Sequence, residues 1–246
     1  MSRAARPRVL VLAGLEPTGR AGLLADLATV RALEGDGVGL ATALTAQGVR
    51  TFASLPTAPS LLRRQVEAAL ELGRVDAVKL GMVPGRPQLR AVLAALSGTR
   101  ARWVVDPVVR SSRGEPLSAL SARDYLSLAG PRVVLTPNLD EAAWLLGEVA
   151  PGRDVAWAED AARKLAERGF GAVVVKGGHL RRGAVDVLCE GGQLTRLEGP
   201  RLRRPRHVRG TGCRFASALA VGWGRGEALE DAAARAKALV AEHLRA

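Results

Sequence analysis

Short apolar runs rich in valine alternate along the chain with longer stretches in which apolar positions recur every three or four residues. Runs of the first kind cover Val9–Ala13, Val38–Thr45, Val75–Leu80, Arg102–Asp106, Val133–Thr136 and Gly171–Lys176. Most are apolar nearly throughout rather than at every second position, the mark of strands covered on both faces of a parallel sheet. Helical spacing fills the gaps: Ala21–Leu33, with Leu23, Leu24, Leu27 and Val30 on one face, then Ser60–Leu72, Pro87–Leu96, Asp140–Leu146 and Trp157–Arg168. Val185–Cys189 and Gln193–Leu197 flank Gly191-Gly192 and read as an antiparallel hairpin. Two helices, Thr211–Val221 and Leu229–Leu244, close the chain. This order predicts an α/β fold of three layers, α/β/α, with a mostly parallel central sheet and one short antiparallel hairpin. No repeat, low-complexity stretch or linker interrupts it, so residues 1–246 are expected to form a single domain.

Composition narrows the class. The chain has 246 residues, 48% of them hydrophobic, enough for one sizeable core. No apolar run approaches the ~20 residues of a membrane helix. The basic first residues, Met1 to Arg8, lead into too few apolar positions for a secretory leader, which makes a cytoplasmic location the expectation. Cys189 and Cys213 cannot build a disulfide scaffold, and His179, His207 and His243 are too scattered for a zinc site. The 36 bases against 24 acids give a net charge of +12, which by itself points to polyanionic partners. Yet only four of those bases are lysines, isoleucine is absent, and asparagine occurs once. A GC-rich genome produces that profile through codon usage alone. Against such a background the single asparagine, Asn138, and the strand-end lysine Lys176 call for a chemical reason.

In open α/β sheets ligands bind beyond the carboxyl ends of the strands. Those ends carry Gly14 to Gly22, Thr45 and Gln47, Lys79 to Met82, Asp106-Pro107-Val108, Thr136 to Glu141, and Lys176 to His179. Any one polar residue there is ordinarily a turn or a helix cap; the convergence of six such ends suggests a site. Arg209-Gly-Thr-Gly-Cys213 precedes the helix that runs to Val221. Free N–H groups and the helix dipole at such a start suit a phosphate. The same field is expected to lower the thiol pKa of Cys213 and poise it as a thiolate near neutral pH. Cys189, in a hairpin strand, reads as a small buried hydrophobe. No Gly-Lys dipeptide exists, which excludes the common phosphate loop, and the glycines at 35, 37 and 39 precede a strand rather than follow one.

Over nearly its whole length the chain resembles the hydroxymethylpyrimidine/phosphomethylpyrimidine kinases of thiamin biosynthesis, in the ribokinase-like superfamily. The resemblance rests on Gly14-Leu-Glu-Pro-Thr-Gly-Arg-Ala-Gly-Leu-Leu-Ala-Asp26, Thr42 to Gln47, Lys79 to Met82 and Asp106 to Val109. It rests most on Thr136 to Ala142, Lys176 to His179 and Gly210-Thr211-Gly212-Cys213. It implies a ribokinase-like fold, ATP and Mg²⁺ as cofactors, a small pyrimidine substrate and a homodimer. In the implied roles Cys213 is the base for the substrate hydroxymethyl group, and Gly210, Thr211 and Gly212 form the anion hole. Lys176, with Asn138 and Thr211, serves the nucleotide phosphates, and Asp106, Asn138 and Glu141 organise Mg²⁺ and its waters. Gly14, Ala21, Met82 and Val108 lie against the pyrimidine, with Asp26 and Gln47 as polar contacts.

The departures gather on the acceptor side. Leu15, Glu16 and Arg20 replace Ser, Asp and Gly of the family pattern, and Gly48 stands for Asn. Ser112-Arg113 stands for Lys-Ser, Arg209 for His, and a carboxy-terminal extension is missing. Arg20 is expected near the phosphate of a monophosphorylated substrate. Pyridoxal kinase, on the same scaffold with the same Gly-Thr-Gly-Cys, is the alternative activity. A third reading is a catalytically inactive ligand- or nucleic-acid-binding relative, suggested by five arginines between Arg201 and Arg209. With aromatics at only 3% of the chain, base stacking is poorly provided for, which argues against nucleic acid.

Overall fold

The computed structural model describes residues 6–48, 50–111, 114–178, 180, 184–199 and 208–245. Expectations resting on Ser112 and Arg113, on His179 and on the basic run from Arg201 to His207 lie outside the described residues. The elements in chain order are β1 (Arg8–Leu15), α1 (Gly22–Ala32), β2 (Asp36–Gln47), β3 (Phe52–Pro56), α2 (Pro59–Glu71) and β4 (Ala77–Leu80). There follow α3 (Arg86–Leu96), β5 (Arg102–Val105), α4 (Ala122–Leu126), β6 (Val133–Leu135), α5 (Leu139–Leu146) and α6 (Val155–Ala166). The last are β7 (Ala172–Val175), β8 (Val185–Glu190), β9 (Gln193–Glu198), α7 (Thr211–Gly224) and α8 (Leu229–His243).

All nine strands join one sheet in the order β3-β2-β1-β4-β5-β6-β7-β8-β9. From β2 to β7 the pairings are parallel, whereas β3 runs against β2 and β8 against both β7 and β9. Alternate residues of β1 feed opposite faces, as a pleated strand requires. Leu10 and Leu12 enter a core shared with residues of α2, α3, α5 and α6. Val9 and Val11 enter a second core with residues of α1, α7 and α8. These are the three layers the alternation predicted. Helix α7 is enclosed along its middle, Phe215 to Gly222 all being buried. Its run of Ala, Ser and Gly lets neighbouring helices come close.

Chain order reverses beside β1, whose neighbours are β2 on one side and β4 on the other. A crevice opens at the carboxyl end of such a reversal. It is bounded by the loop after β1 and the Gly81-Met82 turn after β4. The β1–β2 register slips between Ala13 and Gly14, so the strand bends where that loop begins.

Two elements depart from the sequence expectation. Strand β3 was not anticipated: every residue of Phe52–Pro56 is exposed, so no burial period marks it. Backbone pairing with β2 from Ala43 to Gln47 creates it instead, and carries β2 beyond its expected end at Thr45. Helix α4 is one short turn set by a Ser121–Asp124 capping box rather than by an apolar stripe.

Candidate active site

The loop after β1 and the start of α7 are built as one piece. Gly22 has φ +61°, and a Cβ there would lie 2.3 Å from the carbonyl oxygen of Gly14. Gly210 has φ +79°, and its Cβ would lie 2.3 Å from the Arg20 carbonyl oxygen and 3.0 Å from Cα of Ala21. Only glycine fits either position. Across this contact Arg214 Nη1 donates to the carbonyl oxygen of Arg20 at 3.0 Å and to those of Arg209 and Gly210 at 3.4 Å. The first helical bond of α7 runs from Arg214 N–H to Gly210 O at 3.0 Å. The N–H groups of Thr211, Gly212 and Cys213 therefore precede the helical ladder and are available to an anion.

Facing this helix start is a compact charge cluster. Lys176 Nζ donates to Asp106 Oδ1 at 2.7 Å, with side-chain exposures of 14% and 2%. A Cβ on Gly212 would lie 3.0 Å from that Nζ, so the missing side chain is what admits Lys176 to the helix terminus. Burial works against the Lys176 ammonium, but the Asp106 and Glu141 carboxylates hold its pKa above the usual value. Glu141 moves the other way. Burial and the Asp106 charge push its carboxyl up to about 7 against the pull of Lys176.

Asn138 and Glu141 have a structural duty that the sequence reading did not assign. Asn138 Oδ1 accepts from Glu141 N–H at 2.9 Å and Glu141 Oε2 accepts from Asn138 N–H at 2.8 Å, a capping box at the start of α5. The signature, Asn-x-x-Glu before an apolar run, was present in the sequence and accounts for the lone asparagine without any ligand. Asp106 Oδ2, by contrast, is buried with no hydrogen-bond partner. An orphaned carboxylate oxygen beside a helix start with free N–H groups fits Mg²⁺. That ion takes one or two carboxylates and completes its shell with phosphate and water. Among the described residues no cluster of three or more His, Cys, Asp or Glu could hold a metal unaided.

Two expectations for the centre of the site are corrected. Cys213 is half-buried, and its thiol is not poised near neutrality. Burial, reinforced by the Asp26 and Asp106 charges, pushes it up to about 11 against the pull of Lys79 and a hydrogen bond from Gly22 N–H. Desolvation outweighs the helix field on which the sequence argument relied. Asp26 was expected as a polar contact to the ring. It is fully buried instead, one oxygen accepting from Lys79 Nζ at 2.8 Å and the other from Ser217 Oγ at 2.8 Å. Both its oxygens are taken, by Lys79 and by Ser217 on the helix that begins with Thr211 to Cys213.

Beside the loop after β1, Met82 and Val108 pack with Ala43 and Leu117 in a small apolar cluster, and Gly14 faces it. A Cβ on Gly14 would come within 2.5 Å of the Met82 sulfur. Gln47 stands at the rim, where Arg209 donates to its side-chain oxygen. Its Nε2 donates to Thr45 Oγ1 at 3.2 Å. Arg20 is exposed. The sequence reading missed Asp186. Its Oδ1 accepts from Gly177 N–H at 2.8 Å and its Oδ2 pairs with Lys237 Nζ at 2.9 Å, bracing the turn that follows Lys176. The clue was a lone aspartate inside an apolar hairpin strand.

Comparison with known proteins agrees with this geometry. A family model described as phosphomethylpyrimidine kinase matches residues 16–246. A hydroxymethylpyrimidine/phosphomethylpyrimidine kinase of Streptomyces coelicolor is 39% identical over 240 residues, 95% of this chain and 87% of that protein. A thiamine biosynthesis bifunctional protein of Geobacter sulfurreducens is 38% identical over 250 residues, 99% of this chain but 50% of that protein. Among solved structures, the pyridoxal kinase of Staphylococcus aureus in complex with ADP superposes with a TM-score of 0.86 at 27% identity. That match covers 98% of this chain and 89% of the other.

Proposed function

Because the chain belongs to the phosphomethylpyrimidine kinase family, we propose that it phosphorylates hydroxymethylpyrimidine and its monophosphate with ATP, in thiamin biosynthesis. The observation that carries this reading is the Gly210–Cys213 helix start, held between the Lys176–Asp106 pair and the apolar cluster at Met82 and Val108. Phosphoryl transfer asks chiefly for positioning and charge neutralisation, and these three parts supply both. The acceptor ring lies against Gly14, Ala21, Met82 and Val108, with the amide of Gln47 at its edge. The Cys213 thiolate takes the hydroxyl proton while that oxygen bonds to the γ-phosphorus and the bond to the departing ADP breaks. The amides of Thr211, Gly212 and Cys213 and the ammonium of Lys176 hold the transferring group. Asp106, through its unpartnered Oδ2, and Glu141 would hold Mg²⁺, which would supply charge neutralisation on the nucleotide phosphates.

A monophosphate acceptor changes the demand on Cys213. A phosphate monoester has its second pKa at about 6, so its attacking oxygen already carries the negative charge at neutral pH. The base is then needed for the first phosphorylation and not the second. Arg20, exposed beside the Gly210 contact, would then serve as a cation for such a phosphate.

The pyridoxal alternative has the Staphylococcus aureus neighbour in its favour. A coupled ATP-consumption assay over hydroxymethylpyrimidine, its monophosphate and pyridoxal separates the two. Higher kcat/KM for pyridoxal would reject the pyrimidine assignment, and no turnover of any of the three would reject the kinase. Among the described residues no helix is long and apolar enough to cross a membrane. Leu44 and Leu55, 50% and 67% exposed on the β2–β3 ribbon, support the homodimer, which sedimentation tests.

A further inference from the structure

One group of charges lies outside the mechanism described. Lys79 and Asp26 are both 0% exposed and pair at 2.8 Å, Lys79 on β4 and Asp26 on α1. Asp26 is also bonded to Ser217, which stands one helical turn after Cys213 on α7. A buried ion pair of this kind is a weak source of stability, because desolvating both ions offsets most of their attraction. Well-packed apolar residues would serve the fold as well. The pair's location supplies another reason for it: through Ser217 it is anchored to α7 one helical turn from Cys213, and its cation pulls on the thiol more strongly than its anion pushes.

We propose that Lys79 is a positioning residue for the phosphoryl transfer, a buried cation oriented by Asp26 so that its charge offsets the negative charge formed on Cys213. Other groups face the same sulfur. Asp26 and Asp106 oppose ionisation, while Gly22 N–H and Lys176 favour it. The opposing carboxylates and the burial together outweigh the favourable groups, which leaves the resting thiol protonated. Without Lys79 the thiolate would face two carboxylates with Lys176 as its remaining cation among these groups. Lys79 keeps its own proton throughout, since Asp26 and the neighbouring negative groups hold its pKa well above the usual value despite burial. Fully buried and held by Asp26, its charge acts with little rearrangement.

The inference rests on Cys213 serving as the base, but its test does not require turnover. The pH dependence of Cys213 alkylation by iodoacetamide is followed by peptide mapping, with the fully buried Cys189 as internal reference. Lys79→Met should move the midpoint of Cys213 reactivity upward by about one pH unit or more. The double variant Lys79→Met/Asp26→Asn removes the whole pair, leaves no unpaired ion, and should also move it upward. Ser217→Ala touches the same carboxylate and the same helix but keeps both charges, so it should leave the midpoint in place. Parental midpoints in both Lys79 variants, or an equal displacement in Ser217→Ala, would overturn the proposal. If the midpoint moves but no pyrimidine is phosphorylated, the kinase assignment fails while the charge assignment stands. If turnover is normal and the midpoint does not move, the reverse holds.

Discussion

Replacing Asp186 with alanine tests how the turn after Lys176 is held. The carboxylate is 8% exposed and does two things: it accepts from Gly177 N–H at 2.8 Å and neutralises Lys237, itself 10% exposed, at 2.9 Å. Alanine leaves a buried N–H without a partner, a loss of about 1–3 kcal/mol. It also leaves a nearly buried ammonium without its counter-ion, and breaking such a pair costs about 3–5 kcal/mol. The two losses overlap, because the strand and turn relax together, so about 3–5 kcal/mol in total is the reasoned figure. At ~2–4 °C per kcal/mol for a chain of this size, Tm should fall by roughly 10 °C. Asp186→Asn retains an oxygen for Gly177 and should lose about half as much. The turn sits directly after Lys176, so the surviving enzyme should show a KM for ATP raised about tenfold with an unchanged KM for the acceptor. Urea unfolding and steady-state kinetics on the same preparation decide the matter. Stability within ~0.5 kcal/mol of the parent, together with an unaltered KM for ATP, would refute the bracing role.

Other parts of the site give sharper kinetic signatures. Cys213→Ala should lose at least ~100-fold in kcat on the alcohol while keeping nucleotide affinity, and lose far less on the monophosphate; Cys213→Asp should recover part of the alcohol activity. Equal losses of Cys213→Ala on both acceptors would show that the thiol is not a base. Since the thiol sits at about 11, its reactive anion grows with rising pH. The kcat/KM for the alcohol should therefore climb by about tenfold per unit across the neutral range, measured with the monophosphate as a flat reference. Gly210→Ala forces a side chain into the Arg20 carbonyl and should abolish both phosphorylations, with calorimetry showing reduced stability. Arg20→Gly should raise the KM for the monophosphate selectively; a matching rise for the alcohol would remove Arg20 from phosphate recognition.

Much of this protein could be read from one-dimensional patterns. Apart from Lys79 in β4 and the arginines that open β1 and β5, the buried strands β1, β4, β5, β6 and β7 are apolar runs, because a strand covered on both faces has no solvent side to mark. The glycine-rich helix start at Gly210 was equally legible, since it depends on local backbone and on residue types adjacent in sequence. What escaped was held by distant partners. Strand β3 exists through its hydrogen bonds to β2 and has no buried face to leave a period. Asp186 matters because the sheet brings Gly177 and Lys237 to it from two other elements.

The sequence by itself determined the order of elements, the parallel core and the identity of the residues gathered at the strand ends. All of these follow from periodicity and from short motifs whose geometry is local. Only the tertiary structure decided the protonation of Cys213, the occupation of Asp26 by Lys79 and Ser217, and the capping duty of Asn138 and Glu141. Ionisation and hydrogen bonding depend on burial and on charges a few ångströms away, many of them far removed along the chain, and no local pattern encodes those distances.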